Sequence, residues 1–154
     1  MIYKQLTGIS NEIMLSKISY GKNSVQIDVQ QLAKEEFMQS SSQSDFSFAD
    51  SSLEKIDPYL PAITIFFDEV IAMQVLDRAF SHEKETVYSE WHSFRRHTGS
   101  DFLQYVLKET FVKEFMQATG ETIEHYEIVT ITDVISIVSS IPPVIKLIFE
   151  KQLH

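Results

Sequence analysis

The residues with the most chemical capability cluster in SEWHSFRRHTGSD, positions 89–101. This stretch holds the only tryptophan (Trp91), two of five histidines (His92, His97) and two of three arginines (Arg95, Arg96). Imidazole can move a proton or ligate a metal, and guanidinium can grip a carboxylate or a phosphate. Each of these chemistries has a characteristic spacing, and those spacings are missing. A zinc-protease helix needs His-Glu-x-x-His, but after His82-Glu83 the second histidine position holds Thr86. A di-iron bundle needs Glu-x-x-His, which occurs nowhere in the chain. On a helix, His92 and His97 would stand roughly 140° apart and share no face. Neither a glycine-rich phosphate loop nor a Gly-x-Ser-x-Gly elbow is present. The chain has no cysteine, which removes disulfides, thiolate metal sites and Cys nucleophiles and suits a reducing compartment. The expectation is a protein that is not an enzyme, with no metal site and no cofactor. An acid–base pair assembled from distant positions would draw on Glu69 or Asp77, although carboxylates among apolar residues more often pair with Arg or Lys.

Position explains the 89–101 stretch more simply. HTGSD reads as the end of a helix running from about Glu83 to His97, with Gly99 as a left-handed cap and Ser100 capping the next helix. Arg95, Arg96 and His97 then sit at a helix C-terminus, where the dipole favours positive charge. Two helices joined by a tight turn also suggest a DNA-reading motif, but the second begins DFLQYVLKE, with only Gln104 suited to base contacts. Direct nucleic-acid binding is therefore not expected.

Stepping outward, the pattern predicts a mainly α fold: a single-domain helical bundle over residues 1–154 around a central apolar helix at about 61–80. That segment is apolar nearly all round, which fits a helix packed on several sides. Thr64, Asp68, Gln74 and Arg78 would form one polar strip along it. A short β hairpin near 13–29 is allowed by the alternation of Val25, Ile27 and Val29 and the GKNS turn, with helical character from Asp28 onward. Residues 40–52, seven of them Ser, read as an acidic loop, followed by a short helix start at Ser51 with Glu54. Further on come a helix from Asp101 to about Ala118 ended by Gly120, a strand or helix lead-in at 127–133, a helix capped by Asp133, and a last helix after Pro142-Pro143.

The hydrophobic fraction of 44% indicates a globular chain, and low Gly and Pro (four each) favours helices. The N-terminus shows no signal-peptide pattern, and the two apolar stretches, 60–76 and 128–149, are interrupted by Asp68, Glu69, Asp133, Pro142-Pro143 and Lys146. A soluble, cytoplasmic protein with no membrane partner is expected. Net charge is −9, spread over the whole chain. An acidic field repels phosphate backbones and attracts basic partners. Asp45, Phe46, Phe48, Asp50 and Glu54 mix carboxylates with aromatics in a way that could fill a basic cleft. Glu121, Glu124 and Glu127, if helical, would form one negative edge. These eight residues are the expected partner contacts.

Small, acidic, cysteine-free, helix-rich and motif-poor, the chain resembles the immunity proteins that accompany bacterial contact-dependent growth-inhibition toxins. The resemblance lies in overall character and carries over no residue by motif. It implies a cytoplasmic inhibitor that binds one cognate toxin domain tightly, most naturally a basic nuclease. The alternatives are a phage-type inhibitor of a nucleic-acid-binding protein, or a helical small-molecule or lipid-binding sensor with its pocket among Phe66, Phe67, Met73, Trp91 and Phe111. The surplus of apolar positions also allows a homodimer.

Overall fold

A computed structural model describes residues 12–33, 56–81, 88–91 (backbone only) and 93–149. These residues form nine strands and two short helices, which overturns the helical-bundle, all-α expectation. In chain order they are β1 (Ile13–Tyr20), β2 (Val25–Gln31), β3 (Ala62–Phe67), β4 (Val70–Asp77), β5 (Tyr88–Trp91), β6 (Phe94–His97), α1 (Asp101–Glu109), α2 (Val112–Thr119), β7 (Glu124–Val129), β8 (Asp133–Ser139) and β9 (Val144–Ile148). One sheet has the order β1-β2-β3-β9 and the other β4-β8-β7-β6-β5. Every neighbouring pair is antiparallel. The sheets face each other across one core: Ile27, Ile65 and Phe67 from the first meet Phe94, Tyr126, Ile135 and Ile137 from the second.

The segment expected as the central helix is instead β3, a corner and β4. In β3 the buried residues are Ile63, Ile65 and Phe67, alternating with half-buried Ala62, Thr64 and Phe66, a period of two. Apolar residues on both faces of the strand hide that period and imitate an all-round apolar helix. Asp68 and Glu69, which interrupt the run, make the turn. The Asp68 carboxylate accepts from the Glu69 N–H at 2.9 Å, and Glu69 takes a left-handed φ of 50°. β3 and β4 belong to different sheets, so the chain crosses the sandwich here. The expected polar strip is thereby scattered: Thr64 donates to Asp28 on β2, whereas Gln74 and Arg78 belong to the other sheet's side.

The second crossing joins β8 to β9 through Ser140–Pro143, so Pro142-Pro143 marks a corner and not a helix break. Ser139 ties the two crossings together. Its buried hydroxyl lies 2.8 Å from the Asp68 carbonyl and 3.0 Å from the Ile141 carbonyl, and accepts from the Ile141 N–H at 3.2 Å.

Other helices expected from the sequence are also strands. The turn to helix at Asp28 does not occur, since β2 runs on to Gln31; β6 replaces the helix end at 94–97; β8 and β9 replace the last two helices. The Ile and Val density of 128–148 is the reason, because β-branched side chains pack well on a pleated surface. The open question at 127–133 resolves as β7 running into a turn. The hairpin near 13–29 is present as β1 and β2, with a bulge between Leu15 and Lys17. The Ser-rich loop at 40–52 and the helix start at Ser51 lie outside the described residues.

The helix expected from Asp101 to about Ala118 exists but is broken. Thr110 turns extended, donates its hydroxyl to the Val106 carbonyl at 2.6 Å and accepts from the Val112 N–H at 3.2 Å. Ser100 caps α1 as expected, and Gly120 ends α2 in the left-handed conformation at φ 74°. Gly99 does not take the left-handed conformation expected of it. No helix among the described residues is long and apolar enough to cross a membrane.

Removing the hydroxyl that joins the two crossings leaves buried backbone groups short of a partner. Ser139→Ala should cost about 1–3 kcal/mol of unfolding free energy, read as a lower urea midpoint at unchanged slope.

Candidate functional site

The five-stranded sheet has two faces to cover. Its inner face meets the other sheet, and part of its outer face is covered by the helical pair, where Leu103, Val106 and Val112 pack on Val138 and Ile123. Among the described residues the rest of the outer face is left open as a cavity of about 780 Å³, within the range usual for small-molecule sites. Alternation and register fix its floor as three rows across the strands. Leu76, Val134 and Val129 stand side by side in an apolar row. Next comes a polar row of Gln74, Ser136, Glu127 and Arg95. The third pairs His125 with His97, beneath the start of α1.

The two imidazoles stack with centroids 4.6 Å apart and planes 22° from parallel. Phe102, from the first turn of α1, meets His125 edge-on at 5.3 Å. The Nδ1 of His125 is 2.6 Å from the Ser100 hydroxyl, the same oxygen that accepts from the Leu103 N–H to cap α1. Glu127 is held from two sides. One carboxylate oxygen is 3.4 Å from the Arg95 guanidinium, and the other is 3.6 Å from His97 Nε2. The latter distance is too long for a hydrogen bond, and the contact is an ion pair only when His97 is protonated. The Nε2 atoms of both histidines are buried with no hydrogen-bond partner among the described residues.

Electrostatics follow from this crowding. Burial, reinforced by the neighbouring His97, pulls the His125 imidazole down to about 4 despite Glu127, so it is neutral at pH 7. Burial pushes the Glu127 carboxyl up, but His97, then His125 and Arg95, outweigh it and hold the group below its usual range. One ligand atom from each of His97, His125 and Glu127 lies within 4.8 Å of the others, a set of two imidazoles and a carboxylate able to hold a metal ion. The expectation of no metal-capable cluster therefore missed this group.

Three of the eight expected partner residues, Glu121, Glu124 and Glu127, fall among the described residues. Asp45, Phe46, Phe48, Asp50 and Glu54 lie outside the described residues. Glu121 is exposed before β7, but Glu124 and Glu127 lie on a strand and so point to opposite faces. Glu124 accepts from the Tyr126 hydroxyl at 2.9 Å and pairs with Arg96 at 3.8 Å; Glu127, only 17% exposed, belongs to the cavity. The helical negative edge is thus replaced by two ion pairs on opposite faces of β7. Of the residues expected to line an aromatic pocket, Phe67 is fully buried core, Phe111 is exposed at the helix break, and the Trp91 side chain lies outside the described residues. Glu69 and Asp77 serve turns, Asp77 accepting from the Ala79 N–H.

The site was missed because its halves are far apart in sequence, Arg95-x-His97 and His125-x-Glu127. Each is an i, i+2 pair, which shares a face only on a strand. No family model, curated protein or solved structure matches the chain.

Acid should loosen this face. An unfolded histidine protonates near 6.5, whereas folded His125 resists protonation until about 4, so its contribution is complete above about 6.5 and is lost as pH falls toward 4. Glu127, held low, loses its contribution in the same direction. The groups around His125 are His97 and Arg95 on β6, Glu127 on β7 and Asp101 at the start of α1. With a chelator present, stability should drop by about 2–3 kcal/mol more in the parent than in His125→Gln between pH 7.5 and 4.5, measured by urea unfolding. Equal losses in both would show that His125 is not the group responsible.

Proposed function

We propose that the chain is a binding protein whose small polar ligand, bearing a carboxylate or phosphate, sits in the cavity on the outer face of the five-stranded sheet. The observation that carries this reading is that His97 and His125, which line the cavity, each keep a buried Nε2 atom without a hydrogen-bond partner among the described residues. Leaving such groups unsatisfied costs roughly 1–3 kcal/mol each, and proteins keep that cost chiefly where a ligand removes it. An anionic end is supported by Arg78 and Arg95 on the lining and by the start of α1, whose first N–H groups and dipole favour negative charge. The apolar row of Leu76, Val134 and Val129 suits the body of the same ligand.

The test is a thermal-shift panel of small carboxylates and phosphate esters on the full chain. At least one compound should raise the midpoint by several degrees. Ser136→Trp, which plants an indole in the middle of the floor, should abolish that shift while leaving the far-ultraviolet circular dichroism unchanged. No shift at millimolar concentration across the panel, or a shift untouched by Ser136→Trp, would remove the cavity from consideration.

A second reading rests on charge alone. The net charge of −9 and the exposed Glu121 support an acidic cytoplasmic inhibitor of a basic protein, such as a nuclease toxin domain. Its support is narrower than the sequence suggested, because Glu124 and Glu127 are neutralised within the fold. Affinity capture from native cells at low and high salt, followed by nuclease assay of the captured protein, should yield a nuclease that added chain inhibits. Capture that vanishes at modest salt, with no inhibited activity, would eliminate this reading.

A further inference from the structure

We propose that His97, His125 and Glu127 form a site for a transition-metal dication of the zinc class, open toward the cavity. The inference deepens the cavity reading above, since it names what would anchor an anionic ligand there. Two imidazoles and one carboxylate are a nitrogen-rich set that favours zinc, cobalt, nickel or iron over magnesium and calcium, which prefer oxygen. Three protein ligands beside a solvent-reaching cavity are the pattern of an exchangeable site, where a closed structural site takes four.

Two of the three ligands are prepared on their far side. Ser100 holds His125 through Nδ1 at 2.6 Å and leaves the buried Nε2 without a hydrogen-bond partner among the described residues. Ser100 is itself fixed by capping α1, so the orienting oxygen cannot swing away without loosening the helix. Such partners of metal-binding histidines set the tautomer: with Nδ1–H donating to the serine oxygen, the Nε2 lone pair is free to bind. Arg95 occupies one oxygen of Glu127, leaving the one nearest His97. A single dication would satisfy both buried Nε2 atoms and the carboxylate at once.

The geometry needs a modest contraction. Tetrahedral zinc with bonds of about 2.0–2.1 Å places its ligands roughly 3.3 Å apart. His97 Nε2 and Glu127 are near that at 3.6 Å, while the set as a whole spreads to 4.8 Å. Stacked rings cannot both aim a lone pair at one ion, so binding must splay His97 from His125. That requirement gives a readout independent of any function: the two ring spin systems should shift together on metal addition.

The experiment uses the untagged full chain at pH 7.5, first stripped with chelator, titrated with Zn²⁺ by calorimetry and with Co²⁺ by visible absorption. Expected are 1:1 stoichiometry, micromolar or tighter affinity, and a cobalt d–d band of four- or five-coordinate intensity. The His97→Gln/His125→Gln double variant should lose binding at least tenfold and the d–d band with it. Ser100→Ala should weaken binding by about 10- to 100-fold, the range for partners that orient a ligand. Circular dichroism on each variant confirms that it folds. Absence of binding at 100 μM Zn²⁺ in the parent, or undiminished binding in a folded double variant, would overturn the metal assignment. If the parent binds no metal yet a panel compound still raises its midpoint, the metal assignment alone falls. If neither binds, the cavity reading falls with it.

Discussion

The contact between Phe67 on one sheet and Tyr126 on the other, with ring centroids 5.5 Å apart, decides where everything else can go. Both rings are essentially fully buried, and Phe94 flanks Tyr126 at 6.2 Å within the second sheet. Successive residues of a strand point to opposite faces, so anchoring Tyr126 in the core forces His125 and Glu127 outward onto the cavity floor. Slipping β7 by one residue would bury a carboxylate and an imidazole among isoleucines and expel a tyrosine. The chemistry of the outer face is thus held in register by apolar packing on the inner one. Neighbouring β6 follows the same logic, with Phe94 inward and Arg95 and His97 outward, opposite Glu127 and His125.

A second dependence runs through Ser100. Its hydroxyl accepts from the Leu103 N–H and contacts His125 Nδ1, so one oxygen starts α1 and orients the imidazole. α1 in turn owes its place to Leu103 and Val106 buried against Val138 of β8. Fraying the first turn of this helix would therefore disturb the site before it disturbed the sandwich core. Rigid elements hold the floor and a helix start holds the rim, an arrangement that suits groups needing fixed mutual positions.

How much of this the sequence revealed depends on what each residue's signal was. Local signals survived: Ser100 as a cap, Gly120 as a left-handed stop and the β1–β2 alternation act within a few residues of chain. Period was the failure. Strands covered on both faces lose their alternation, so β3 and β8 read as helical or ambiguous, Asp68-Glu69 as an interruption inside a helix and Pro142-Pro143 as a break between two helices. The two stretches that attracted notice, 89–101 and 121–127, were judged separately, one as a helix end and the other as an acidic edge. They lie side by side as β6 and β7, with His97 opposite His125 and Arg95 opposite Glu127. Pairing across nearly thirty residues is set by the whole sandwich, and no local rule reports it.

Charge takes on a different meaning once the strands are placed. The net −9 suggested a basic protein partner, yet an acidic field gathers any cation, from a lysine-rich surface to a hydrated metal ion. Long-range attraction cannot choose between them, because it acts through net charge and is screened within about 10 Å at ordinary salt. Choice belongs to the short-range groups. Two of the carboxylates first read as surface, Glu124 and Glu127, are paired with Arg96 and Arg95, so less of their charge is offered to a large partner. What the outer face offers at short range is a cavity with two buried imidazoles and a half-neutralised carboxylate. A protein surface is too large and too flat to reach those nitrogens at the bottom of a cavity, whereas a small ligand or a single ion can. The local geometry therefore favours a small occupant over a macromolecular one, even though the global charge fits both.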